Sequence, residues 1–130
     1  MIVVDSSALI AILLNEPEKA DFSEAILAAD SPQIGAPNFF EASMVAETRQ
    51  GLAGCRDLDR LSASLGLVVV AFDPTHLEGA RDAYRRYGKG RHRAALNFGD
   101  CCAYVLAKSL GWPLLFKGGD FALTDLKRAL

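Results

Sequence analysis

Short apolar runs alternate along this chain with longer stretches in which apolar residues return every three or four positions. Ile2-Val3-Val4 is β-branched and predicts a buried strand. Ser6 and Ser7 offer an N-cap for a helix through Leu14, and Ala8, Leu9, Ile12 and Leu13 form an apolar stripe that predicts core. Pro17 suits the first turn of a second helix, whose Ala20, Phe22, Ile26 and Leu27 roughly keep helical spacing until Asp30-Ser31-Pro32 breaks it. Gln33 to Ala36 reads as a short strand. Pro37-Asn38 opens a third helix that Gly51 closes after Gln50, and a fourth runs from Gly54 to Leu65. Leu67 to Phe72 is the clearest strand. Asp73-Pro74 caps a helix from Thr75 to Tyr87, and Gly88 stops it. Asp100 opens another helix ending near Gly111, and Pro113 to Phe116 is a further strand. Phe121 to Leu130 shows no clear period.

Short strands alternating with amphipathic helices predict an α/β chain: a three-layer α/β/α sandwich whose short parallel sheet is covered on both faces. No repeat or linker interrupts the pattern, and 130 residues fit a single domain over 1–130. In such sheets ligands bind outside the carboxyl ends of the strands. Asp5 follows the first strand, and Asp120 lies four residues beyond the Leu114–Phe116 run. Glu41 and Asp100 fall in the first turns of their helices. The four acids are therefore expected to share one crevice. Singly, each has an ordinary role as a cap, a helix-dipole partner or a turn residue after Gly118-Gly119.

Gathered carboxylates repel unless something positive joins them. A hard divalent cation, Mg²⁺ or Mn²⁺, prefers oxygen ligands and usually works on phosphates when carboxylates hold it. Asp5 and Asp100 are the expected direct ligands. Glu41 and Asp120 are expected to reach the ion through water, since Mg²⁺ keeps part of its hydration shell. One ion or two fit the same acids.

Composition narrows the classes. The chain is 51% hydrophobic and 23% charged, as a compact core requires. Its net charge of −2 gives no global pull toward nucleic acid or anionic membrane, so any such binding must be local. The segment 81–93 supplies a local patch: Arg81, Arg85, Arg86, Lys89, Arg91 and Arg93 stand against Asp82 alone. Arg85, Arg86, Lys89, Arg91 and Arg93 are the candidate phosphate contacts, with Tyr84, Tyr87 or Phe98 as platforms for an unpaired base. The plainer reading of this segment is a solvated helix face and a loop. No basic leader precedes the first strand, and no apolar run approaches the ~18–20 residues that span a bilayer. Cys55, Cys101 and Cys102 match neither a disulfide framework nor a zinc pattern, so reduced thiols in the cytoplasm are expected. Phe22, Ile26, Phe39 and Phe40 read first as core and second as a groove for a partner helix. Glu16, Glu18, Glu47 and Asp57 read as solvated charges. Trp112 reads as packing at a helix end, and His92 as an acid or base is the weaker reading of that residue.

Val3-Val4-Asp5-Ser6-Ser7-Ala8-Leu9, Phe39-Phe40-Glu41, Asn97-Phe98-Gly99-Asp100-Cys101 and Leu115-Phe116-Lys117-Gly118-Gly119-Asp120-Phe121 together resemble the PIN-domain ribonucleases. Within them the chain is most similar to the VapC-type toxins of bacterial toxin–antitoxin pairs. The resemblance implies that Asp5, Glu41, Asp100 and Asp120 are metal-binding acids. It implies that the Ser7 hydroxyl supports the first aspartate or a metal-bound water. The implied activity is Mg²⁺- or Mn²⁺-dependent endonucleolytic cleavage of RNA to 5′-phosphate and 3′-hydroxyl ends. The implied partners are RNA, a cognate antitoxin that silences the enzyme in a hetero-oligomer, and a second copy in a homodimer. The chain departs from many relatives at Gly119, where they carry an acid or amide, and this bears on metal affinity. Two other readings fit part of the pattern. One is a non-catalytic module of the same fold that binds RNA or a partner. The other is a Mg²⁺-dependent phosphoryl-transfer domain, against which the first strand lacks a DxD sequence.

Overall fold

Four short strands, β1 (Val3–Val4), β2 (Gln33–Gly35), β3 (Val68–Val70) and β4 (Leu114–Leu115), form one parallel sheet in the order β3-β2-β1-β4. The computed structural model describes residues 1–130. Helices α1 (Ser6–Leu13), α2 (Lys19–Ala28), α3 (Ala36–Ser64), α4 (Pro74–Tyr87) and α5 (Phe98–Leu110) connect the strands, and a 3₁₀ turn spans Asp120–Leu123. The chain leaves β1 toward β2 and β3 on one side, then returns to place β4 on the other. The strand order thus reverses beside β1, and the crevice beyond its carboxyl end is the expected ligand position.

The pleat divides the core. Val4, Ile34 and Leu115 pack with Leu9, Ile12, Ile26 and Leu58 on one face, whereas Val3 and Leu114 pack with Ala83, Leu96 and Tyr104 on the other. Neighbouring strand residues point to opposite faces, so both residues of β1 and of β4 are buried. This is the expected three-layer architecture. Trp112 packs against the second of these cores, after the end of α5.

Four local expectations change. Asp5, rather than Ser6 or Ser7, caps α1, because its carboxylate accepts from the Ser7 amide. The second helix begins at Lys19, two residues beyond Pro17. Asn97 caps α5, so Asp100 sits in its first turn and does not open it. Leu67–Phe72 pairs only over Val68–Val70, and β3 is the edge of the sheet. There Val68 and Val69 remain 48% and 49% exposed, so the helical layers do not cover this edge.

Helix α3 is broken at Gly51 (φ 65°, ψ −158°), a conformation open to glycine without a Cβ penalty. The two halves fold against each other, bringing Cys55 Sγ within 3.6 Å of the Ser43 carbonyl. A Cβ at Gly54 would lie 2.4 Å from the Ala46 carbonyl oxygen, so only glycine permits this approach. The stop predicted at Gly51 is therefore real. The last residues, without period in the sequence, line β4: Leu114 donates to the Lys127 carbonyl and accepts from the Ala129 amide, both at 2.9 Å.

Candidate active site

Asp5 leaves the end of β1 and is fixed at once. Its backbone amide donates to the Leu115 carbonyl of β4 at 2.9 Å. Its Oδ2 accepts from the Ser7 amide at 3.1 Å and from the Ser7 hydroxyl at 2.6 Å. That hydroxyl in turn accepts from the Lys117 amide at 3.0 Å, so Ser7 joins the chain after β1 to the chain after β4. The hydroxyl has one proton and spends it on Asp5. Ser7 is thus a positioning residue for the first aspartate. Asp5 is only 3% exposed, and its Oδ1 is buried without a protein partner. An unpaired buried carboxylate oxygen costs free energy that a bound cation would recover.

Glu41 comes from the first turns of α3, where its Oε1 accepts from the Ser6 hydroxyl. The rest of its carboxylate lies over Gly99: a Cβ there would meet Glu41 Oε2 at 2.5 Å. Asp100 is held by a capping box, accepting from the Asn97 amide at 3.0 Å while its own amide donates to Asn97 Oδ1 at 2.9 Å. Asp120 starts the exposed 3₁₀ turn and has no such anchor of its own. The segment around it is tied at both ends. Lys117 Nζ pairs with Glu16 at 2.7 Å and Glu18 at 3.3 Å, so these two glutamates are not merely solvated. Asp125 accepts from the Tyr104 hydroxyl at 2.6 Å and from Lys108 at 2.9 Å.

The acids act on one another's protonation. Burial pushes Asp5 up to about 6, and the charges of Asp100 and Glu41 add to the rise. Burial also lifts Asp100 to about 6, with Asp120 and Glu41 contributing. Asp5, Glu41 and Asp100 thus lie within reach of one another's charge, and Asp120 within reach of Asp100. No group of three or more His, Cys, Asp or Glu side chains is placed to hold a metal ion. Mg²⁺ does not require such a group, since it is commonly held by one or two carboxylates and several waters. The donor set, all oxygen, and the orphaned Asp5 Oδ1 fit such an ion.

Three supporting side chains went unread in the sequence. Asn38 is 1% exposed, and its amide donates to the Gly99 carbonyl at 2.9 Å, tying α3 to α5 behind Glu41 and Asp100. Ser6 holds Glu41, and Asn97 orients Asp100. Only Asn97 carried a local signal, the three-residue spacing of a capping box. The other two act across 35 and 61 residues.

The basic patch splits. Arg81, Arg85, Lys89 and Arg91 line an apolar groove of about 690 Å³ between α4 and α5, beside Asn97 and Phe98. Arg86 turns away and reaches the Tyr104 and Tyr87 hydroxyls at 3.4 and 3.2 Å. Arg93 does not line the groove. His92 accepts from the Ala94 amide at 3.0 Å and sits edge-on to Tyr87, a loop-shaping role. Phe22 and Ile26 are core and Phe39 packs against it, whereas Phe40 is exposed. Burial raises the Cys101 and Cys102 thiols to about 11, so they stay protonated at neutral pH.

The PIN domain model matches residues 2–127, nearly the whole chain. The chain belongs to the PIN-domain family. This PIN domain is 48% identical over 125 residues to "Ribonuclease VapC" of Mycolicibacterium smegmatis, covering 95% of this chain and 96% of that one. It is 45% identical over 124 residues to "Ribonuclease VapC30" of Mycobacterium tuberculosis, covering 95% of each. Among solved structures, VapC20 of Mycobacterium tuberculosis, described as a sarcin–ricin loop cleaving toxin, superposes with a TM-score of 0.78 at 15% identity. That match covers 97% of this chain and 96% of VapC20, and it shows the shared PIN fold. No helix of this PIN domain is long and apolar enough to cross a membrane.

Proposed function

We propose that this PIN domain is a Mg²⁺- or Mn²⁺-dependent endoribonuclease, the toxin of a toxin–antitoxin pair, acting in the cytoplasm as one unit over residues 1–130. The observation that carries the reading is Asp5, Glu41 and Asp100 lying within reach of one another's charge, Asp120 beside Asp100, and a buried Asp5 oxygen left unpaired. The VapC names of its relatives support it.

Asp5 and Asp100 would hold the ion directly, and Glu41 and Asp120 would reach it through water. Bound there, a divalent cation supplies an activated water and offsets charge on the scissile phosphate. The chain supplies the rest. Ser7 keeps Asp5 Oδ2 occupied and leaves Oδ1 without a protein partner. Asn97 and Ser6 fix the carboxylates of Asp100 and Glu41. Arg85, Lys89 and Arg91 draw the RNA backbone toward an acidic centre that would otherwise repel it. A small cognate antitoxin silences the enzyme by covering the crevice, and the toxin pairs with a second copy. The free thiols suit the reducing cytoplasm.

The test is cleavage of total cellular RNA by the purified protein with Mg²⁺ or Mn²⁺, beside EDTA and Asp100→Asn. Discrete fragments lost in both controls are expected. Cleavage that persists in EDTA overturns the metal dependence. RNA bound but left intact by folded, metal-supplied protein turns the assignment toward a binding module.

A further inference from the structure

Phe98 is 81% exposed at the first position of α5, two residues before Asp100. Nothing in the fold uses this ring. It lines the groove between α4 and α5, as Tyr84 does. Tyr84 is held in place by two neighbours. Gly88 packs so closely that a Cβ would stand 2.4 Å from the Tyr84 ring, and the Arg91 guanidinium lies 5.0 Å from its centroid. Leu77 and Ala80 add apolar lining, and Arg81, which pairs with Glu78 at 3.1 Å, Arg85 and Lys89 line the same groove. An apolar slot with one free aromatic face and a rim of cations matches two parts of one ligand: a flat uncharged base and its phosphates. A second copy would suit the slot less well, because a two-fold contact there sets this cationic rim against itself.

We propose that the groove is a nucleobase subsite: one unpaired RNA base stacks on Phe98, while Arg85 and Lys89 hold its flanking phosphates. This rests on the ribonuclease reading for its substrate, and it adds the state that substrate must be in. The crevice accepts a phosphodiester whose neighbouring base is already out of the stack, so a continuous duplex is a poor ligand. The slot offers few polar groups, so it selects for an unstacked base more than for its identity.

The test is fluorescence anisotropy in EDTA, where cleavage cannot contribute. The probes are labelled single-stranded decauridylate, the same strand with one central abasic residue, and an RNA duplex of equal length. Unaltered protein is expected to bind the intact strand at least several-fold more tightly than the duplex. Phe98→Ala should weaken binding of the intact strand by roughly 5- to 100-fold. Phe98→Trp should restore it, and the salt dependence should stay the same. Arg85→Gln should instead flatten the salt dependence. Equal affinity of the unaltered protein and Phe98→Ala for the intact strand overturns the subsite. So does a fall in sedimenting mass on Phe98→Ala, which would assign the groove to contact between copies. The two readings fail separately. Phe98-dependent binding without cleavage in Mn²⁺ refutes the ribonuclease and keeps the subsite. Cleavage with Phe98-independent binding does the reverse.

Discussion

In the acidic crevice Asp5, Glu41 and Asp100 are each pinned by a neighbouring side chain or amide: Ser7, Ser6 and Asn97. In the groove beside it, Arg85 and Lys89 have no protein acid to hold them, and Arg91 rests only on the Tyr84 ring. The two regions share one turn of α5, with Phe98 facing the groove and Asp100 the crevice. The difference is the one the proposed ribonuclease reading requires. An ion and a reacting phosphate need ligands placed within ~0.5 Å, so their carriers are locked. A phosphate chain is gripped by point charges that follow it, so those carriers stay loose.

Substitutions sharpen this contrast. The largest effect is expected from Asp100→Asn, which keeps the shape of the cap but removes a charge. Cleavage should fall by about 10³-fold or more, while the melting temperature in EDTA holds or rises because a buried repulsion is relieved. A residual rate near that of the unaltered protein would break the assignment of the locked region. Replacing Arg85, Lys89 and Arg91 together with Gln should lower RNA affinity by about 10- to 100-fold at moderate salt and reduce the salt slope by about 2 to 3. An unchanged slope would show that these cations do not meet phosphate. Gly99→Ala is subtler. The nearest atoms to the added methyl belong to the Glu41 carboxylate, which must leave Ser6 to make room, so thermal stability should change little while cleavage should drop about 10-fold. Equal loss of stability and activity would contradict this account.

The pH dependence tests the crevice without RNA. Asp5 titrates near 6 in the fold against 3.8 for the ordinary carboxyl. The folded state therefore binds the proton more tightly than the unfolded chain. Stability should fall as pH rises from about 4 to about 6, by up to about 3 kcal/mol from Asp5 at ~1.4 kcal/mol per unit. Thermal melts in EDTA at pH 5 and 7.5 should show the drop, and Mn²⁺ at pH 7.5 should recover it. A melting temperature that is flat with pH would mean that the crevice is better solvated than its geometry implies. The smallest effect concerns Gly119, whose Cβ position is open, with nothing within 4 Å. Gly119→Asp should fit and tighten Mn²⁺ binding a few-fold, measured by calorimetry. Weaker binding would place this position outside the metal's reach.

The locked region was largely legible in the sequence because its carriers lie at strand ends and helix starts, where local signals are strong. Asp5 after a β-branched run and Asp100 three residues after Asn97 are such cases. What holds Glu41 was not legible, since Ser6 and Gly99 reach it from other elements. The same applies to Lys117, whose pairing with Glu16 spans 101 residues. The groove was only half legible. Spacing on α4 announced a basic face, yet only packing decided that Arg85 lines the slot while Arg86 joins Tyr104. The run Leu67–Phe72 misled because apolar residues look alike in a central strand and at an edge.

That edge has a practical bearing on handling the protein. Val68 and Val69 leave β3 with one unpaired side and no charge to repel a neighbour. Uncapped strands of this kind template sheet growth between molecules. Concentrated stocks should therefore cloud along this border before the fold itself gives way. A lysine in place of the exposed Val69 is the natural safeguard for crystallisation or storage.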